Sequence, residues 1–386
     1  MRLFLSDESL VVQGRAFVGF PLLVHRDGTA VEPAQSFLWD VLTTNGRAQS
    51  PLTWAKYGRD IYDYFAFLDA NELDWQTVPS RGMPSVVDWY RDWSKGEIGL
   101  DSVTINARLR LIARFYRWAQ QMGFIKQLPF RYQVVRVART PGFLAHVDAS
   151  ANLVEVPSAM LSQKSAPIKF LTMEQVLVCL GVLSNITHRM MFELMVRCGL
   201  RQIECRTFPV KYLFDPARRR DLVQGQMIRL PLSNKDMKLK YDKPRAIDVP
   251  YDLMEDLWWY AARHRKSRQR AAGAGATSTS LFLTQNGTPY GDTALTDIFV
   301  ALEKRVGFRV RPHMLRHTYG TYTLWQLRKV GFDGEPLLYV RDRMGHSSVS
   351  TTSIYLHLIN QLGAQLVLLW EDEIDALFGI EGEHGP

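Results

Sequence analysis

The chain has 386 residues, of which 46% are hydrophobic and 22% charged. These values are typical of a globular protein with two or three domains, and they exclude a disordered chain or a fibre. The net charge is +8, but residues 371–386 carry six acids and no Lys or Arg, so the rest of the chain carries +14. A body this basic indicates a polyanionic partner, most simply nucleic acid, or else a solvated basic surface.

Three cysteines are too few for a disulfide scaffold, and Cys198 and Cys205 lack the spacing of metal ligands. They are predicted to be packing residues. The start, MRLFLSDESL, has acids too early and an apolar run too short for a signal peptide. No stretch of about 18 apolar residues exists, so no membrane span and no membrane partner are predicted. These features together predict a reduced, cytoplasmic protein.

Residues 1–45 combine short apolar runs with turn signals, and they are interpreted as an N-terminal extension without an assigned role. The segment FVGFPLLVHRDGTAVE predicts a hairpin with its turn at Asp27-Gly28.

A helical domain is predicted for residues 46–140, because apolar residues recur there at helical spacing and N-cap signals precede them. The predicted helices begin at Ser50-Pro51, lie near Ser85–Trp93, and span Val103–Met122. The third helix also carries arginines away from its apolar stripe, which indicates a solvated face or a surface that follows DNA phosphates. These residues are Arg108, Arg110, Arg114 and Arg117.

Residues 124–168 contain four prolines and no sustained helical period, so they are interpreted as an inter-domain connection, with the linker at 141–168. Because long structureless connections are uncommon, HVDASANLVEVP is predicted to form a small hairpin.

The second domain is predicted to span residues 169–386, so the chain as a whole is expected to be mainly α, with a small antiparallel β-sheet in this α+β part. Thr172 with Gln175 is a capping box that opens a helix through Leu183. The segments GQMIRLPL and PRAIDVP flank a lysine-rich stretch and predict a hairpin with a long tip. Further predictions are helices at Thr187–Cys198, Asp252–Arg263, Asp292–Val306 and Leu362–Phe378, a short strand at LFLT (281–284), and an acidic tail.

Histidine, arginine and tyrosine follow in close order near the end of this domain. His313 and Arg316 are three residues apart, so on a helix they project from one face. His346 follows a glycine, and Tyr355 lies nine residues after it. Taken singly, each residue has an ordinary structural explanation, and only the ordered set carries weight. His317 and His357 are interpreted as structural or incidental.

These residue types suit the transfer of a phosphodiester to a tyrosine. A tyrosine hydroxyl has a pKa near 10 and is a weak nucleophile at neutral pH, so His313 could accept or position its proton. The guanidiniums of Arg201 and Arg316 match phosphate and can hold the charge that attack creates, and His346 can add a hydrogen bond. A loop lysine can protonate the departing 5′-oxygen. Because arginines would do the electrostatic work, neither a metal nor a cofactor is predicted.

The ordered set resembles the tyrosine recombinase (phage integrase) family over roughly residues 169–378, and the helical segment before it resembles the family's core-binding domain. The resemblance implies a role for each matching position. Arg201 is the first arginine, His313 and Arg316 are the His-x-x-Arg box, His346 is the His/Trp position, Tyr355 is the nucleophile, and Glu204 orients its neighbours.

The family's catalytic lysine lies in the hairpin, where this chain offers several lysines. Lys235, in Ser-Asn-Lys at the end of the first strand, is preferred, and Lys240 and Lys243 are the alternatives. The hairpin tip is longer than is usual in the family, as is the gap between Arg316 and His346.

The resemblance implies a site-specific recombinase, an integrase or transposase of a mobile element, that forms a 3′-phosphotyrosine link without ATP. It also implies a tetramer on double-stranded DNA in which the helix Leu362–Phe378 packs on a neighbouring subunit; closing its own core is the alternative. An accessory DNA-binding protein or a partner recombinase, and a nucleoid-associated location in a bacterial or phage-type system, are further expectations.

Two other functions fit the same residues. A type IB topoisomerase-like nicking-closing enzyme shares the chemistry, and a catalytically silent DNA-binding accessory protein would retain only the basic surface. Tolerance of Tyr355→Phe would distinguish the silent protein from an enzyme.

Overall fold

The computed structural model describes residues 1–44, 50–136, 153–162, 169–273, 278–346, 349–356 and 358–359. They fall into two compact units, the first ending within the described residues at 162 and the second beginning at 169. Both units are mainly helical with two-stranded antiparallel sheets, so the predicted fold class is confirmed. None of the helices within these ranges is long and apolar enough to cross a membrane.

The first unit is built from short β-hairpins packed on a group of helices. Its elements are β1 (Arg2–Leu5), β2 (Val11–Val12), β3 (Arg15–Ala16), β4 (Pro21–Val24), α1 (Ala34–Trp39), a π-helical turn (Asp40–Thr44), α2 (Pro51–Ala70), α3 (Val86–Gly96), α4 (Ser102–Gln121), β5 (Tyr132–Arg136) and β6 (Leu153–Pro157). The helix starts follow local capping signals. Ser85 forms a capping box with Asp88, and Asp101 accepts from the Thr104 amide at 2.7 Å.

The N-terminal segment is part of this unit's core. Phe20, Leu23 and Phe37 are fully buried in the same hydrophobic cluster as Tyr64 and Tyr116 of the helices. The sequence boundary at residue 45 therefore does not separate two packed bodies, because each side alone would expose these aromatic and aliphatic faces.

The hairpins of this unit differ in pairing from those expected. The turn at Asp27-Gly28 is present, with the His25 amide donating to the Thr29 carbonyl at 2.8 Å, but β4 pairs along its length with β1. Likewise LVEVP, as β6, pairs with β5 rather than within HVDASANLVEVP, most of which lies outside the described residues.

The second unit surrounds one antiparallel hairpin with helices. Its elements are α5 (Met173–Val182), α6 (Ile186–Cys198), α7 (Gln202–Arg206), two 3-10 turns (Val210–Tyr212 and Pro216–Arg218), β7 (Met227–Leu232), a 3-10 turn (Lys240–Asp242), β8 (Arg245–Pro250), α8 (Tyr251–Tyr260), a π-helical turn (Ala261–Arg265), α9 (Lys266–Ala271), α10 (Ala294–Val306), α11 (Pro312–Lys329), α12 (Pro336–Met344) and α13 (Val349–Thr352). All three cysteines are buried and unpaired here, as packing residues. The predicted helix Leu362–Phe378, the acidic tail and His357 lie outside the described residues.

The predicted strand at LFLT is wrong. Leu281 and Phe282 are fully buried, yet the segment forms only isolated β-bridges. Arginine side chains satisfy carbonyls here: Arg265 donates to the Ser280 carbonyl at 2.9 Å and Arg268 donates to the Leu283 carbonyl. A buried segment whose carbonyls are satisfied in this way does not need a neighbouring strand.

Candidate active site

Helix α11 carries most of the site. Pro312 stands at its first position, where a missing amide hydrogen costs nothing, so the histidine and arginine motif follows on the first two turns. Arg316 is only 1% exposed. Its guanidinium donates to the Gly199 carbonyl at the end of α6 and to the Met344 carbonyl at the end of α12. Arg316 therefore ties together the ends of two helices that flank α11.

Arg316 stays charged in spite of its burial. Burial, together with the charges of Arg201 and Arg245, lowers its pKa to about 9, although Glu204 acts in the opposite direction. A group with this pKa is protonated at neutral pH. Arg316 is a buried cation beside two other arginines, and their combined positive charge favours the binding of an anion.

A second cluster joins Arg201 and Glu204 to a residue that the sequence analysis missed. Arg201 donates to Glu204 Oε1 at 2.9 Å and to the Gly345 carbonyl at 3.0 Å. Arg245, the first residue of β8, donates two hydrogen bonds of 2.6 and 2.8 Å to the Glu204 carboxylate. It also donates to the Arg343 carbonyl. Arg245 thus links the hairpin to α7 and α12. The available signal was a strand that opens on an arginine rather than on an apolar residue.

The Glu204 carboxylate is ionised well below neutral pH. Its full burial would raise its pKa, but the hydrogen bond and charge of Arg245, together with Arg201, bring the pKa to about 2. The prediction that Glu204 orients its neighbours agrees with this geometry, because the carboxylate receives both guanidiniums and the Arg201 amide.

Glu204→Gln is expected to destabilise the chain by on the order of 3 kcal/mol at pH 6, because it leaves buried guanidiniums without their counter-charge. A carboxyl with a depressed folded pKa stabilises above its unfolded pKa, near 4.5, and loses this contribution as the pH falls toward about 2. Urea unfolding of both chains between pH 6 and pH 3 measures the difference. A difference that stays constant over this range would contradict the assignment.

His346 is positioned by a glycine and a threonine. Gly345 ends α12 at φ +61°, a backbone conformation that favours glycine, and turns the chain so that His346 faces the arginines. His346 Nδ1 lies 2.9 Å from the Thr352 hydroxyl. Burial, with the charges of Arg316 and Arg201, lowers the pKa of His346 to about 3, so the ring is neutral at pH 7. When Thr352 donates to Nδ1, Nε2 carries the proton and can donate to a ligand.

Tyr355 lies in the centre of this group and is 1% exposed. Its ring stacks on the His346 ring with centroids 6.1 Å apart, and its hydroxyl is 3.1 Å from His317 Nδ1. Burial raises the pKa of Tyr355 to about 12, although Arg316 and Arg201 act in the opposite direction. The phenol is therefore protonated at neutral pH and needs a proton acceptor to act as a nucleophile.

The structure gives His317 a contact that the sequence analysis did not expect. His317, and not His313, is within hydrogen-bond distance of Tyr355, and His313 lies edge-on to the His317 ring at 4.4 Å. Burial, with His313 and Arg316 nearby, lowers the pKa of His317 to about 4, and burial also lowers that of the more exposed His313. The signal was the spacing, since residues four apart share a helix face.

Gly320 makes room for the ring of Tyr355. A Cβ atom built on Gly320 would lie 2.7 Å from Tyr355 Cζ and 2.9 Å from Met344 Sδ. Gly320→Ala is therefore expected to displace the phenol and slow any reaction of Tyr355 by about 100-fold. The gain in helix propensity offsets part of the roughly 1–3 kcal/mol cost of overpacking, so the fold should persist.

Gly181→Ala is the matched control, because Gly181 also lies in a helix and its added Cβ would meet nothing within 4 Å. The rate at which the chain becomes covalently attached to DNA measures both variants. Equal rates for the two would show that Gly320 does not set the position of Tyr355.

Two of the three candidate lysines line a cavity beside the site. It has a volume of about 410 Å³, and Lys240 and Lys243 line it while Lys235 does not. Lys240 also lies close enough to His313 for its charge to lower that pKa. Lys235 is exposed on the hairpin tip. The full lining is Arg201, Arg229, Lys240, Lys243, Pro244, Arg245, Ala246, Arg341, Asp342, Arg343, Gly345 and His346.

The arginines of α4 in the first unit do not form one equivalent set. Arg108 is half-buried and donates to Asp63 and to the Tyr90 hydroxyl, so it holds α4 to α2 and α3. Arg117 lies over the Tyr132 ring at 4.3 Å. Arg110 and Arg114 are exposed. Arg108 thus has internal structural contacts, whereas the sequence predicted either a solvated face or a surface that follows DNA phosphates.

No group of three or more His, Cys, Asp or Glu that could hold a metal ion occurs within the ranges that the structure describes. Around Tyr355 and the cavity, the charged side chains are chiefly cationic. This donor set suits an anion and not a cation.

Comparison with known proteins identifies the family. Residues 169–361 match the sequence model of the phage integrase family, which covers half of the chain. The chain belongs to the phage integrase family. The predicted tyrosine recombinase, an enzyme of site-specific DNA recombination, is thereby confirmed.

Named relatives agree with this assignment. Tyrosine recombinase XerC of Thermodesulfovibrio yellowstonii is 25% identical, over 81% of this chain and 87% of its own. Transposase A from transposon Tn554 of Staphylococcus aureus is 23% identical, over 88% of this chain and 91% of its own. Because these are a recombinase and a transposase, they favour the recombinase prediction over the topoisomerase-like and silent accessory alternatives.

Solved structures support the fold. The Tn1549 transposon integrase, in complex with a circular intermediate DNA, superposes with a TM-score of 0.56 at 19% identity, over 83% of this chain and 93% of that one. The XerH site-specific recombinase bound to a palindromic difH substrate gives a TM-score of 0.54 at 17% identity, over 84% and 82%. Both covered shares include most of this chain, so the likeness extends beyond the catalytic part.

Proposed function

We propose that the chain recombines double-stranded DNA at specific sites of a mobile element, through a covalent 3′-phosphotyrosine at Tyr355. The observation that carries the proposal is the convergence of side chains on the turn Met344–His346. Arg316 and Arg201 bind its carbonyls, and the rings of His346 and Tyr355 stack beside it. A phosphate held by these cations would be presented to the phenol.

The proposed step exchanges one phosphodiester for another. The Tyr355 oxygen bonds to phosphorus, the bond from phosphorus to the 5′-oxygen breaks, and the reverse reaction with a new 5′-hydroxyl rejoins the strand. Arg201 and Arg316 stabilise the charge on the non-bridging oxygens. His346 donates to one of them from Nε2, and Glu204 with Arg245 holds Arg201 in place. The link keeps the energy of the diester, so no ATP, metal or cofactor is needed.

Lys240 is proposed as the general acid. Lys240 borders the cavity together with Arg201 and His346, and the charge of its ammonium lowers the pKa of His313. Lys235 does not line this cavity. The departing 5′-oxygen needs a proton, and a lysine in a cluster of cations can give one up. Lys243 borders the same cavity and is the alternative.

DNA phosphates are proposed to contact both units. In the second unit, the cavity side chains Arg229, Lys243 and Arg341 extend the cationic surface beyond Arg201. In the first unit, the exposed Arg110 and Arg114 are the remaining candidates on α4. Such contacts fix position and carry no sequence information by themselves.

A homotetramer on DNA, with residues 362–378 packed on a neighbouring subunit, is proposed from the family resemblance. An accessory protein or partner recombinase, and action at the bacterial nucleoid in the cytoplasm, belong to the same proposal. The DNA complexes of the Tn1549 integrase and XerH support the DNA part of it. Sedimentation of the complex between the chain and a DNA duplex that it binds measures the number of subunits. One subunit on each DNA end, with no assembly of four, would contradict the tetramer.

Covalent capture tests the proposed function. A pool of nicked duplexes with randomised sequence is incubated with the full chain, and adducts that resist detergent are isolated and sequenced. The expected result is an adduct that forms in EDTA, selects particular sequences and maps to the peptide that contains Tyr355. No adduct, or an adduct on another residue, would overturn the proposal. The selected duplex then serves as the substrate in every assay below.

A further inference from the structure

The contact between His317 and Tyr355 leads to an assignment beyond the motif residues. We propose that His317 is the catalytic residue that receives the phenolic proton of Tyr355, and that His313 does not. The assignment rests on the proposed function, since it names the proton acceptor for the same step.

Distance favours His317 over its neighbour. His317 Nδ1 is 3.1 Å from the Tyr355 hydroxyl, within reach for direct proton transfer. The ring contact of His313 in the described structure is with His317, at 4.4 Å between centroids. His313 is also the more exposed of the two, at the rim of the group, where it can face a bound phosphate.

The surroundings keep His317 ready to accept. The groups that face it are His313 and Arg316 on its own helix, His346 after α12, and Tyr355 after α13. None of these groups is a carboxylate, so among the described residues that face His317 no negative charge favours the imidazolium before the reaction. The ring is neutral at pH 7, and a neutral imidazole accepts at Nδ1 when its proton is on Nε2.

The same surroundings set when the proton moves. The pKa of the phenol is about 12 and that of His317 about 4, so transfer before attack is unfavourable. As the bond from oxygen to phosphorus forms, the phenolic oxygen becomes far more acidic, and its proton passes to Nδ1 in the same step. Lys240 gives a proton to the 5′-oxygen as that bond breaks. One proton is gained and one is lost, and the reverse step returns both.

The test compares pH dependence, because a purely structural role would lower the rate without changing its slope. Adduct formation is measured in single turnover from pH 6 to pH 9 on the selected duplex. The wild-type rate is expected to vary little, since His317 stays neutral throughout. His317→Asn keeps an acceptor oxygen near Nδ1 but cannot take the proton. Its rate is expected to fall by about 100-fold or more at pH 7 and to rise about tenfold per pH unit with the tyrosinate fraction.

Two further variants make the result specific. His317→Leu, which removes the acceptor altogether, is expected to show the same slope as His317→Asn. His313→Asn is expected to lower the rate while leaving it nearly independent of pH. Anisotropy of labelled duplex should give unchanged DNA affinity for all three, which shows that each is folded.

The outcomes separate the two proposals. If the rate of His317→Asn stays independent of pH, the assignment of His317 is overturned while the proposed function still stands. If the rate of His313→Asn instead rises tenfold per pH unit, His313 is the proton acceptor. Absence of an adduct from the wild-type chain would overturn the proposed function and this assignment with it.

Discussion

Tyr355→Phe is expected to abolish the covalent adduct completely while leaving DNA binding unchanged. The ring is buried against the His346 ring and above Gly320, so phenylalanine fills the same space and only the hydroxyl is lost. Without that oxygen, the bond to phosphorus cannot form at this position beside His317. Detergent gels with the selected duplex measure the adduct, and anisotropy measures binding.

Tyr319→Phe is the matched control, because Tyr319 is a second buried tyrosine of the same hydrophobic cluster. It is expected to form the adduct at close to the wild-type rate. An adduct in Tyr355→Phe would place the nucleophile elsewhere.

Lys240→Ala is expected to slow adduct formation by roughly 100- to 10,000-fold, the range typical of a lost general acid. Lys240 borders the cavity between the hairpin and the turn that carries His346. Without a proton, the 5′-oxygen must leave as an alkoxide. A duplex in which sulfur replaces this bridging oxygen removes the need, because a thiol with a pKa near 8.5 leaves readily as the thiolate. This substrate should restore Lys240→Ala to near the wild-type rate.

Lys235→Ala and Lys243→Ala complete the comparison. Lys235 is outside the cavity lining, so its loss is expected to change the rate less than threefold. Lys243 lines the cavity, so Lys243→Ala should lower the affinity for DNA and reduce the salt dependence of that affinity. The rate of the chemical step should change less. If Lys235→Ala is the slow variant and sulfur rescues it, the acid is Lys235, as the sequence alone favours. Sulfur should not rescue His317→Asn, because His317 takes its proton from the Tyr355 oxygen and not from the leaving 5′-oxygen.

The cationic site has a structural consequence for the whole second unit. Arg201 and Arg245 are close enough to Arg316 for their charges to lower the pKa of its guanidinium. Glu204 and four backbone carbonyls accept hydrogen bonds from these three arginines. A bound phosphate would supply the missing negative charge, so DNA binding is expected to stabilise this unit against unfolding.

Features that depend on neighbouring residues could be predicted before the fold was known. The capping box of Thr172 with Gln175 is present because its hydrogen bonds join residues three apart. The hairpin β7–β8 forms because alternation over the six residues of β7 places one face of that strand in the core, where β8 pairs with it. The order of Arg201, His313, Arg316, His346 and Tyr355 was sufficient to predict the family, because the motif is written along the chain.

Features that depend on distant partners were decided only by the tertiary structure. Arg108 turns inward because Asp63 and Tyr90, on other helices, meet it. LFLT is not a strand because arginines from the preceding helical segment bind the carbonyls of Leu283 and of Ser280, the residue before LFLT. The position of Lys240 beside the cavity depends on how the hairpin tip folds back between Leu232 and Arg245. No period or spacing within the chain specifies these contacts.

The partner of the nucleophile illustrates the same division. The sequence places His313 and His317 on one face of α11, but it does not say which of them Tyr355 reaches. That choice depends on where Gly345 and α13 return the chain, and on the space that Gly320 leaves for the phenol. Local patterns were thus enough to predict which residue types form the site. The packing of the whole core determines which atoms face each other, because His317 and Tyr355 are 38 residues apart in the chain.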